Sequence, residues 1–258
     1  MTYDPGFAIH ALADPLGFQY GEGVFGPEVE NRTLDSIRKS LRDPNATGPE
    51  IVYSIAMDVG KQDDVQQMLA RNLLFGAVTY SKGRIGDEPV RSQGHIHAVS
   101  PSCQSSTCEV YEIWDGAAYI YMQESADDDP GRCFAVRAQP GDVVIVPPGW
   151  AHCTIVGDIR KNMSFGAWCV RDYGFDYDGV RAHGGVAWFP RVDANGAISF
   201  ERNERYPVAR RCVVKTPRAY TEFGIEKGKP IYRQFEEEPD RFLFVSKPGL
   251  VDWNGFEP

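Results

Sequence analysis

The sequence lacks any long hydrophobic run, since no apolar stretch approaches the ~20 residues that a membrane helix needs. Its first residues, Met-Thr-Tyr-Asp-Pro-Gly, have neither the basic start nor the apolar core of a signal peptide. Basic residues are also outnumbered, with 27 Lys and Arg against 36 Asp and Glu and a net charge of −9. Nucleic-acid binding needs clustered basic residues. We therefore expect a cytoplasmic protein that binds neither membranes nor nucleic acids.

Cysteine is present, but nothing in the sequence favours disulfides. The chain has six cysteines and no recognisable signal peptide, for which free thiols are the default expectation. Cys103 and Cys108 lie close together in a serine-rich stretch. They could form a redox or metal-binding pair, but two incidental thiols are the simpler interpretation.

Histidine is scarce as well, yet three of the five histidines fall into two short stretches. The first reads GHIH and is followed by EVY, and the second reads PPGWAH. Strand side chains alternate between faces, so His95 and His97 should leave the same face of one strand. Together with Glu109 and the distant His152 they would form a site of three imidazoles and one carboxylate. These donors suit Fe, Mn, Ni, Co or Zn, which predicts one divalent metal ion per subunit.

Short runs rich in β-forming residues fill the middle of the chain and alternate with turn signals such as Lys-Gly, Asp-Gly and Pro-Gly. Such punctuation is typical of a β-sandwich or barrel. Ahead of this region we predict an amphipathic helix over 33–42, with Thr33 as its N-cap, and a strand over 51–57. The strands predicted in the middle region are 73–80, 93–98, 109–114, 117–123, 133–138, 143–147, 152–156 and 164–170.

The last part of the chain, from about 206 to 258, has weak periodicity but many isolated aromatic residues among prolines and charges. Its aromatic content is too high for a disordered segment. We expect an ordered arm that lays its aromatic side chains on the barrel or on a partner subunit.

The two histidine stretches together resemble the paired motifs of the cupin superfamily. One motif has the form G-x5-P-x-G-x2-H, and the other has the form H-x-H-x(n)-E-x6-G with a gap of eleven residues before the glutamate instead of the usual three or four. The matching residues are Gly141, Pro147, Gly149 and His152 for the first form and His95, His97, Glu109 and Gly116 for the second.

Over roughly residues 50–190, the order GHIH, EVY, PPGWAH and Asp-Tyr-Gly further resembles the cupin-type glucose-6-phosphate isomerases. The resemblance implies an all-β fold, a cupin (jelly-roll) barrel over 66–190. A segment with a short helix and strand, 1–65, would pack on the barrel, and 191–258 would form a C-terminal extension. Members of this branch commonly pair, so the resemblance also implies a homodimer.

The same resemblance implies a metal-dependent aldose–ketose isomerase that interconverts glucose 6-phosphate and fructose 6-phosphate, or a related sugar phosphate, through an enediol or a hydride shift. Glu109 is the leading candidate for the base and is also a candidate ligand. Tyr111 should face the same side as Glu109 and either contacts the substrate or fills the core. Tyr177, in the element after the last barrel strand, is the third catalytic candidate.

A phosphate group needs amide donors, hydroxyls and one or two cations. The candidates for binding it are Thr79, Lys82 and Arg84 in one loop, and Ser92 and Gly94 just before the first histidine. Alternatively, the loop with Lys82 and Arg84 is simply an exposed turn that binds no phosphate.

Two regions depart from the family pattern. Cys169 stands where the family has tyrosine and Phe175 where it has histidine. Earlier in the chain, Gly76-Ala77 and Ser92-Gln93 stand where the family has threonines and a lysine. His183 lies close enough in sequence to replace the missing histidine. These departures keep two alternatives open, a cupin Fe(II) dioxygenase and a non-catalytic sugar-binding cupin.

Overall fold

A computed structural model describes residues 3–258 and consists mainly of two β-sheets. The larger sheet has six antiparallel strands, in the order Val143–Val146, Glu109–Asp115, Met163–Val170, Leu73–Tyr80, Ile51–Met57 and Glu30–Thr33. The smaller sheet has four strands, in the order Ala151–Val156, Ala118–Gln123, Cys133–Ala138 and Cys212–Lys215, the last of which runs parallel to its neighbour.

Shorter elements cover the edges of these sheets. The paired short strands are Ile9–Ala13 with Leu16–Tyr20, Val24–Phe25 with Gly60–Lys61, Arg84–Ile85 with Glu88–Pro89, Ile96–His97 with Phe175–Asp176, and Trp188–Val192 with Ile198–Arg202. The α-helices are Leu34–Ile37, Val65–Ala70, Asp178–Ala182, Ile231–Glu237 and Leu243–Ser246. Single 3₁₀ turns occupy Arg38–Ser40, Gln62–Asp64, Thr221–Phe223, Pro239–Phe242 and Pro248–Leu250.

The two central strands of the six-stranded sheet, Met163–Val170 and Leu73–Tyr80, are buried on both faces, which explains why they are nearly continuous apolar runs. In the strand Glu109–Asp115, Tyr111 and Ile113 point into a core that the two sheets enclose, while Val110 and Trp114 point to the opposite face. The enclosed core, with the candidate metal ligands at one side of it, is that of an all-β cupin barrel. The predicted fold class is therefore confirmed.

The C-terminal arm covers the outer face of the six-stranded sheet. The ring of Trp168 lies 4.4 Å from that of Phe235 and 5.5 Å from that of Phe242, measured between centroids. Tyr232 of the same arm meets Phe75 at 5.2 Å. The aromatic side chains of the arm thus pack on the barrel of their own chain, and they give no support to a dimer interface.

Most predicted strands agree with the structure to within one or two residues, but two predicted elements are shorter than expected. The helix at 33–42 stops after Ile37 and continues as a 3₁₀ turn, although Thr33 is its N-cap as predicted and accepts a hydrogen bond from the Ser36 amide at 3.3 Å. The strand at 93–98 shrinks to Ile96–His97. Gly94, with φ of +92°, turns the backbone out of the extended conformation there.

The flanking segments are structurally continuous with the barrel. The strand Ile51–Met57 pairs with Leu73–Tyr80, and the strand Cys212–Lys215 pairs with Cys133–Ala138. All six cysteines are free thiols, Cys103 and Cys108 included. Among the described residues, no helix is long and apolar enough to cross a membrane.

Candidate metal centre and cavity

Four elements bring the predicted metal ligands together. His95 and His152 exchange two backbone hydrogen bonds, at 3.0 and 2.9 Å, so the two distant histidine stretches are joined directly. His97 lies in the short strand Ile96–His97, and Glu109 begins the strand Glu109–Asp115. The turn before His152 is closed by Gly149, at φ of +79°, whose amide donates to Ser106 Oγ at 2.9 Å.

The ligand atoms of these four residues converge. One donor atom from each of His95, His97, Glu109 and His152 lies within 4.8 Å of the other three. Glu109 Oε2 is 3.2 Å from His97 Nε2 and 3.4 Å from His152 Nε2. Together the four side chains present three imidazole nitrogens and a carboxylate oxygen, a donor set that borderline divalent metals prefer.

The hydrogen bonds of the rings orient their other nitrogens toward the centre. His97 Nδ1 lies 3.0 Å from the carbonyl of Thr107, and His152 Nδ1 lies 3.0 Å from that of Trp150. A carbonyl can only accept, so each Nδ1 carries a hydrogen, and in the neutral ring that binds a metal each Nε2 then presents a lone pair. This second contact is how proteins usually fix the tautomer of a ligating imidazole.

Two Nε2 atoms of the candidate ligands lack a hydrogen-bond partner within residues 3–258. They are His95 Nε2 and His152 Nε2, both buried, the latter 3.4 Å from Glu109 Oε2. Burial, then the neighbouring His152 and His97, lowers the pKa of His95 well below its usual value. A neutral imidazole is the form that binds a metal. The residues therefore fit a metal ion, and the four-residue group could hold one.

Glu109 is buried but remains ionised. Burial alone would raise the pKa of its carboxyl, but the close approach of His152 and His97 outweighs that effect and holds it well below its usual value. Tyr111 donates a hydrogen bond to Oε2 at 2.7 Å, and the thiol of Cys169 approaches Oε1 at 3.5 Å. Burial and the neighbouring carboxylate raise the pKa of Tyr111 well above its usual value, so the phenol stays a donor.

A cavity opens beside this group, inside the barrel. His95, His97 and Glu109 form part of its wall. Most of the wall is apolar, and its hydroxyl groups come from Tyr53, Tyr80, Ser92, Tyr111, Thr154, Tyr173 and Tyr177.

The structure brings only some of the predicted phosphate-binding residues to this cavity. Ser92 lines it, with its Oγ accepting a hydrogen bond from the Thr154 amide at 3.0 Å. Gly94 adjoins His95 but faces away, since a Cβ there would meet Val186 at 2.9 Å.

Thr79, Lys82 and Arg84 do not line the cavity, which corrects the expectation from sequence. Strand alternation turns Thr79 away, because Val78 and Tyr80 on either side of it face the cavity. Lys82 is exposed in a turn, where its amide bonds Asn162 at 2.9 Å. The guanidinium of Arg84 donates to the carbonyl of Asp193 at 2.8 Å.

Two of the residues that depart from the family pattern, Phe175 and Cys169, lie against the site. Phe175 sits edge-on to His95, with ring centroids 4.6 Å apart, and pairs with His97 in the two-residue ladder. Tyr177, the predicted catalytic candidate, lines the cavity 5.9 Å from the His95 ring. Cys169 lines it beside Glu109.

His183 does not replace the missing histidine. Its ring stacks on Tyr206 at 4.0 Å, and its two nitrogens contact the Gly179 carbonyl at 2.9 Å and Asp128 Oδ1 at 3.2 Å. It is not among the residues that line the cavity.

Sequence reasoning missed Tyr53 and Tyr80, two phenols that stack at 4.8 Å in the cavity wall. Side chains of the strands 51–57 and 73–80 alternate between two faces, which separates Tyr53 and Tyr80 from their neighbours. Which of the two faces is turned to the cavity becomes clear only when the pairing of the strands is known. Arg32, which pairs with Tyr53 across neighbouring strands, was also missed because 30–33 has no strand-like pattern.

Comparison with known proteins supports one family. The family model of glucose-6-phosphate isomerase matches residues 36–208, more than half of the chain. The glucose-6-phosphate isomerase of Pyrococcus furiosus is 29% identical over 197 residues, which cover 70% of this chain and 96% of that protein. The Thermococcus litoralis protein of the same name is 30% identical over 136 residues, 52% of this chain and 65% of that protein.

A bacterial relative and a solved structure are also similar to this chain. The glucose-6-phosphate isomerase of Sinorhizobium medicae is 31% identical over 117 residues, which cover 45% of this chain and 49% of that protein. A solved structure of an oxalate decarboxylase variant from B. subtilis is 14% identical with a TM-score of 0.35, over 61% of this chain and 30% of that one. On the family match, this chain belongs to the cupin-type glucose-6-phosphate isomerase family, a family of sugar-phosphate isomerases.

Proposed function

We propose that this chain interconverts glucose 6-phosphate and fructose 6-phosphate, with one divalent metal ion held by His95, His97, Glu109 and His152. The observation that carries the proposal is the convergence of these four donors within 4.8 Å, with His95, His97 and Glu109 in the wall of a cavity inside the barrel. Two buried imidazole nitrogens without a partner would otherwise be a cost to folding.

The reaction moves a hydrogen between C1 and C2 of the open-chain sugar. A divalent ion bound here would supply Lewis acidity toward the C1 and C2 oxygens. The imidazoles of His97 and His152 are suited to holding it because their Nδ1 hydrogens are committed to backbone carbonyls.

Glu109 is the residue proposed to remove and return the proton. Among the described residues that line the cavity it is the one carboxylate, and it is held ionised. Tyr111 and the histidines engage Oε2, so Oε1, beside Cys169, is the oxygen available to a substrate carbon. The same carboxylate would then serve as ligand through one oxygen and as base through the other.

The remaining cavity wall would orient the sugar and exclude water. Tyr177 lies near His95 at the cavity mouth, where its hydroxyl could bind a sugar oxygen. Tyr53 and Tyr80 offer two further hydroxyls on the inner face of the barrel. Apolar walls around the polar groups strengthen each hydrogen bond to the substrate.

The proposal is tested by removing the metal with a chelator and reloading separate samples with Fe, Mn, Ni, Co or Zn. We expect isomerisation of glucose 6-phosphate to disappear on chelation and to return with at least one metal. Oxygen consumption by the iron-loaded protein without isomerisation would instead support a dioxygenase. Thermal stabilisation by glucose 6-phosphate without turnover would support a sugar-binding protein.

A further inference from the structure

An arginine at the edge of the barrel is placed to act on the cavity. Arg32 lies in the edge strand Glu30–Thr33 of the six-stranded sheet and pairs with Tyr53, which in turn pairs with Tyr80. Directly paired residues of antiparallel strands share a face of the sheet. Tyr80 and Tyr53 line the cavity, and Arg32 is the next residue of this cross-strand row, at the solvent-exposed edge of the sheet.

The charge of this guanidinium reaches the polar groups of the cavity. Burial raises the pKa of Tyr177, and Arg32, followed by Arg181, is the main opposing influence. Arg32 likewise opposes the effect of burial on the pKa of Tyr53. The pairing with Tyr53 places Arg32 next to the cavity wall at the edge of the sheet.

Arg32 is free to change partners, whereas Arg181 is not. The side chain of Arg32 is 24% exposed and is paired with Glu30, whose side chain is 64% exposed. Such an exposed pair is weak. Arg181 donates from two nitrogens to Gln93 and lies flat on the Tyr177 ring at 4.6 Å.

We propose that Arg32 leaves Glu30 and binds the phosphate group of the substrate at the edge of the cavity, with the hydroxyl of Tyr53 as a further donor. The proposal rests on the function proposed above, because it assumes that the sugar end of the substrate lies at His95 and Glu109. A guanidinium offers paired donors that match phosphate oxygens, which a lone lysine cannot do.

Among the described residues, no lysine or arginine lines the cavity, Lys82 and Arg84 included. A dianionic substrate therefore needs a cation from just beyond the wall, and Arg32 pairs with the wall residue Tyr53. Arg32 lies outside the region 36–208 that the family model matches.

The test compares Arg32→Ala and Arg32→Lys with the parent enzyme in its metal-loaded form. We expect the KM for glucose 6-phosphate to rise about 10- to 100-fold in Arg32→Ala, the usual effect of losing a charge-assisted hydrogen bond. We expect kcat to change less than about threefold, and inhibition by inorganic phosphate to weaken in parallel with KM. Arg32→Lys should recover part of both losses, since it keeps the charge without the fork.

Two matched variants separate this role from a structural one. Glu30→Gln removes the competing carboxylate and should lower KM, whereas Arg191→Ala removes an arginine of a surface ion pair with Glu201 and should leave KM unchanged. An unchanged KM in Arg32→Ala, or a fall in kcat with phosphate inhibition intact, would overturn the inference.

A direct measurement of phosphate binding separates a failure of this proposal from a failure of the proposed isomerase function. If the parent protein does not isomerise glucose 6-phosphate with any metal, the proposed function fails, and calorimetric titration with inorganic phosphate still decides the role of Arg32. Phosphate binding that is lost in Arg32→Ala would support the anion site, and equal binding by both proteins would refute it.

Discussion

At the scale of the residue, the orientation of the candidate ligands depends on the contacts that each imidazole ring makes. The backbone carbonyls of Thr107 and Trp150 fix the Nδ1 hydrogens of His97 and His152. Packing of Phe175 against His95 restricts the third ring. The rings are thus oriented in the fold itself, which lowers the entropy that metal binding has to overcome.

His152→Ala removes a ligand that also joins the two histidine stretches. We expect isomerase activity to fall by more than about a hundredfold, because even the loss of an outer partner of a ligand costs 10- to 100-fold. Metal content per chain should fall as well, measured by elemental analysis after gel filtration. His183→Ala, which removes a histidine outside the cavity, should change neither quantity.

Tyr111→Phe deletes only the hydroxyl that donates to Glu109 at 2.7 Å. A hydrogen bond to a charged acceptor contributes about 1.5–3 kcal/mol, so we expect kcat to fall about 10- to 100-fold while metal content stays the same. Tyr121→Phe is the control, since it removes a buried phenol bonded to Gln123 outside the cavity. Equal kcat values in Tyr111→Phe and the parent would remove Tyr111 from the catalytic group.

At the scale of the element, the strand Glu109–Asp115 carries two buried carboxyls on opposite faces. Glu109 faces the cavity, and Glu112 faces the terminal segments. Glu112 accepts hydrogen bonds from the hydroxyl of Tyr3, the indole of Trp114 and the amide of Ile231 at 2.8, 3.1 and 2.9 Å. It thereby ties both ends of the chain to a central barrel strand.

Glu112 gives a pH prediction. Burial raises its pKa to about 7, so between about pH 4.5 and 7 the folded protein holds a proton that the unfolded chain has released. The free energy of unfolding should therefore fall as pH rises through this window, by about 3 kcal/mol from this group. Urea denaturation at pH 5 and pH 8 measures this fall in the free energy of unfolding. In Glu112→Gln the contribution of this group should be absent, so the free energy of unfolding should fall less between the two pH values. An identical pH dependence in both proteins would contradict this account of the carboxyl.

Phe235→Ala tests the docking of the C-terminal arm. Phe235 is fully buried and stacks near Trp168, so we expect a loss of about 3–5 kcal/mol in the free energy of unfolding, as for other buried phenylalanines. Leu250→Ala alters an exposed residue of the same arm and should change stability by less than about 0.5 kcal/mol. A small effect of Phe235→Ala would mean that the arm does not depend on this contact.

At the scale of the whole molecule, sequence pattern was sufficient for the barrel and for the gathering of the metal cluster. The barrel strands show strongly as apolar runs between turn residues, and the four candidate ligands are tied to motifs with fixed spacing. Their assignment as ligands stays a prediction, as does the homodimer implied by the family.

The remaining parts depend on long-range pairing that local pattern does not encode. The strand Glu30–Thr33 is polar, and only its pairing with Ile51–Met57 makes it a strand and brings Arg32 to the cavity side. The loop with Lys82 and Arg84 has suitable chemistry for phosphate, but strand alternation and the loop's own hydrogen bonds direct it elsewhere. The helices of the arm are short, and their aromatic spacing reflects the surface of the sheet on which they pack.

The most direct test of the central claim is an NMR assay of metal-loaded protein with glucose 6-phosphate in deuterated water, with and without chelator. We predict fructose 6-phosphate that forms only without chelator and carries deuterium at C1, because Glu109 would exchange the abstracted proton with solvent. Conversion without deuterium in either sugar phosphate, even after many turnovers, would favour the hydride shift over proton transfer by Glu109. No conversion with Fe, Mn, Ni, Co or Zn, or conversion that survives chelation, would contradict metal-dependent isomerisation at this centre.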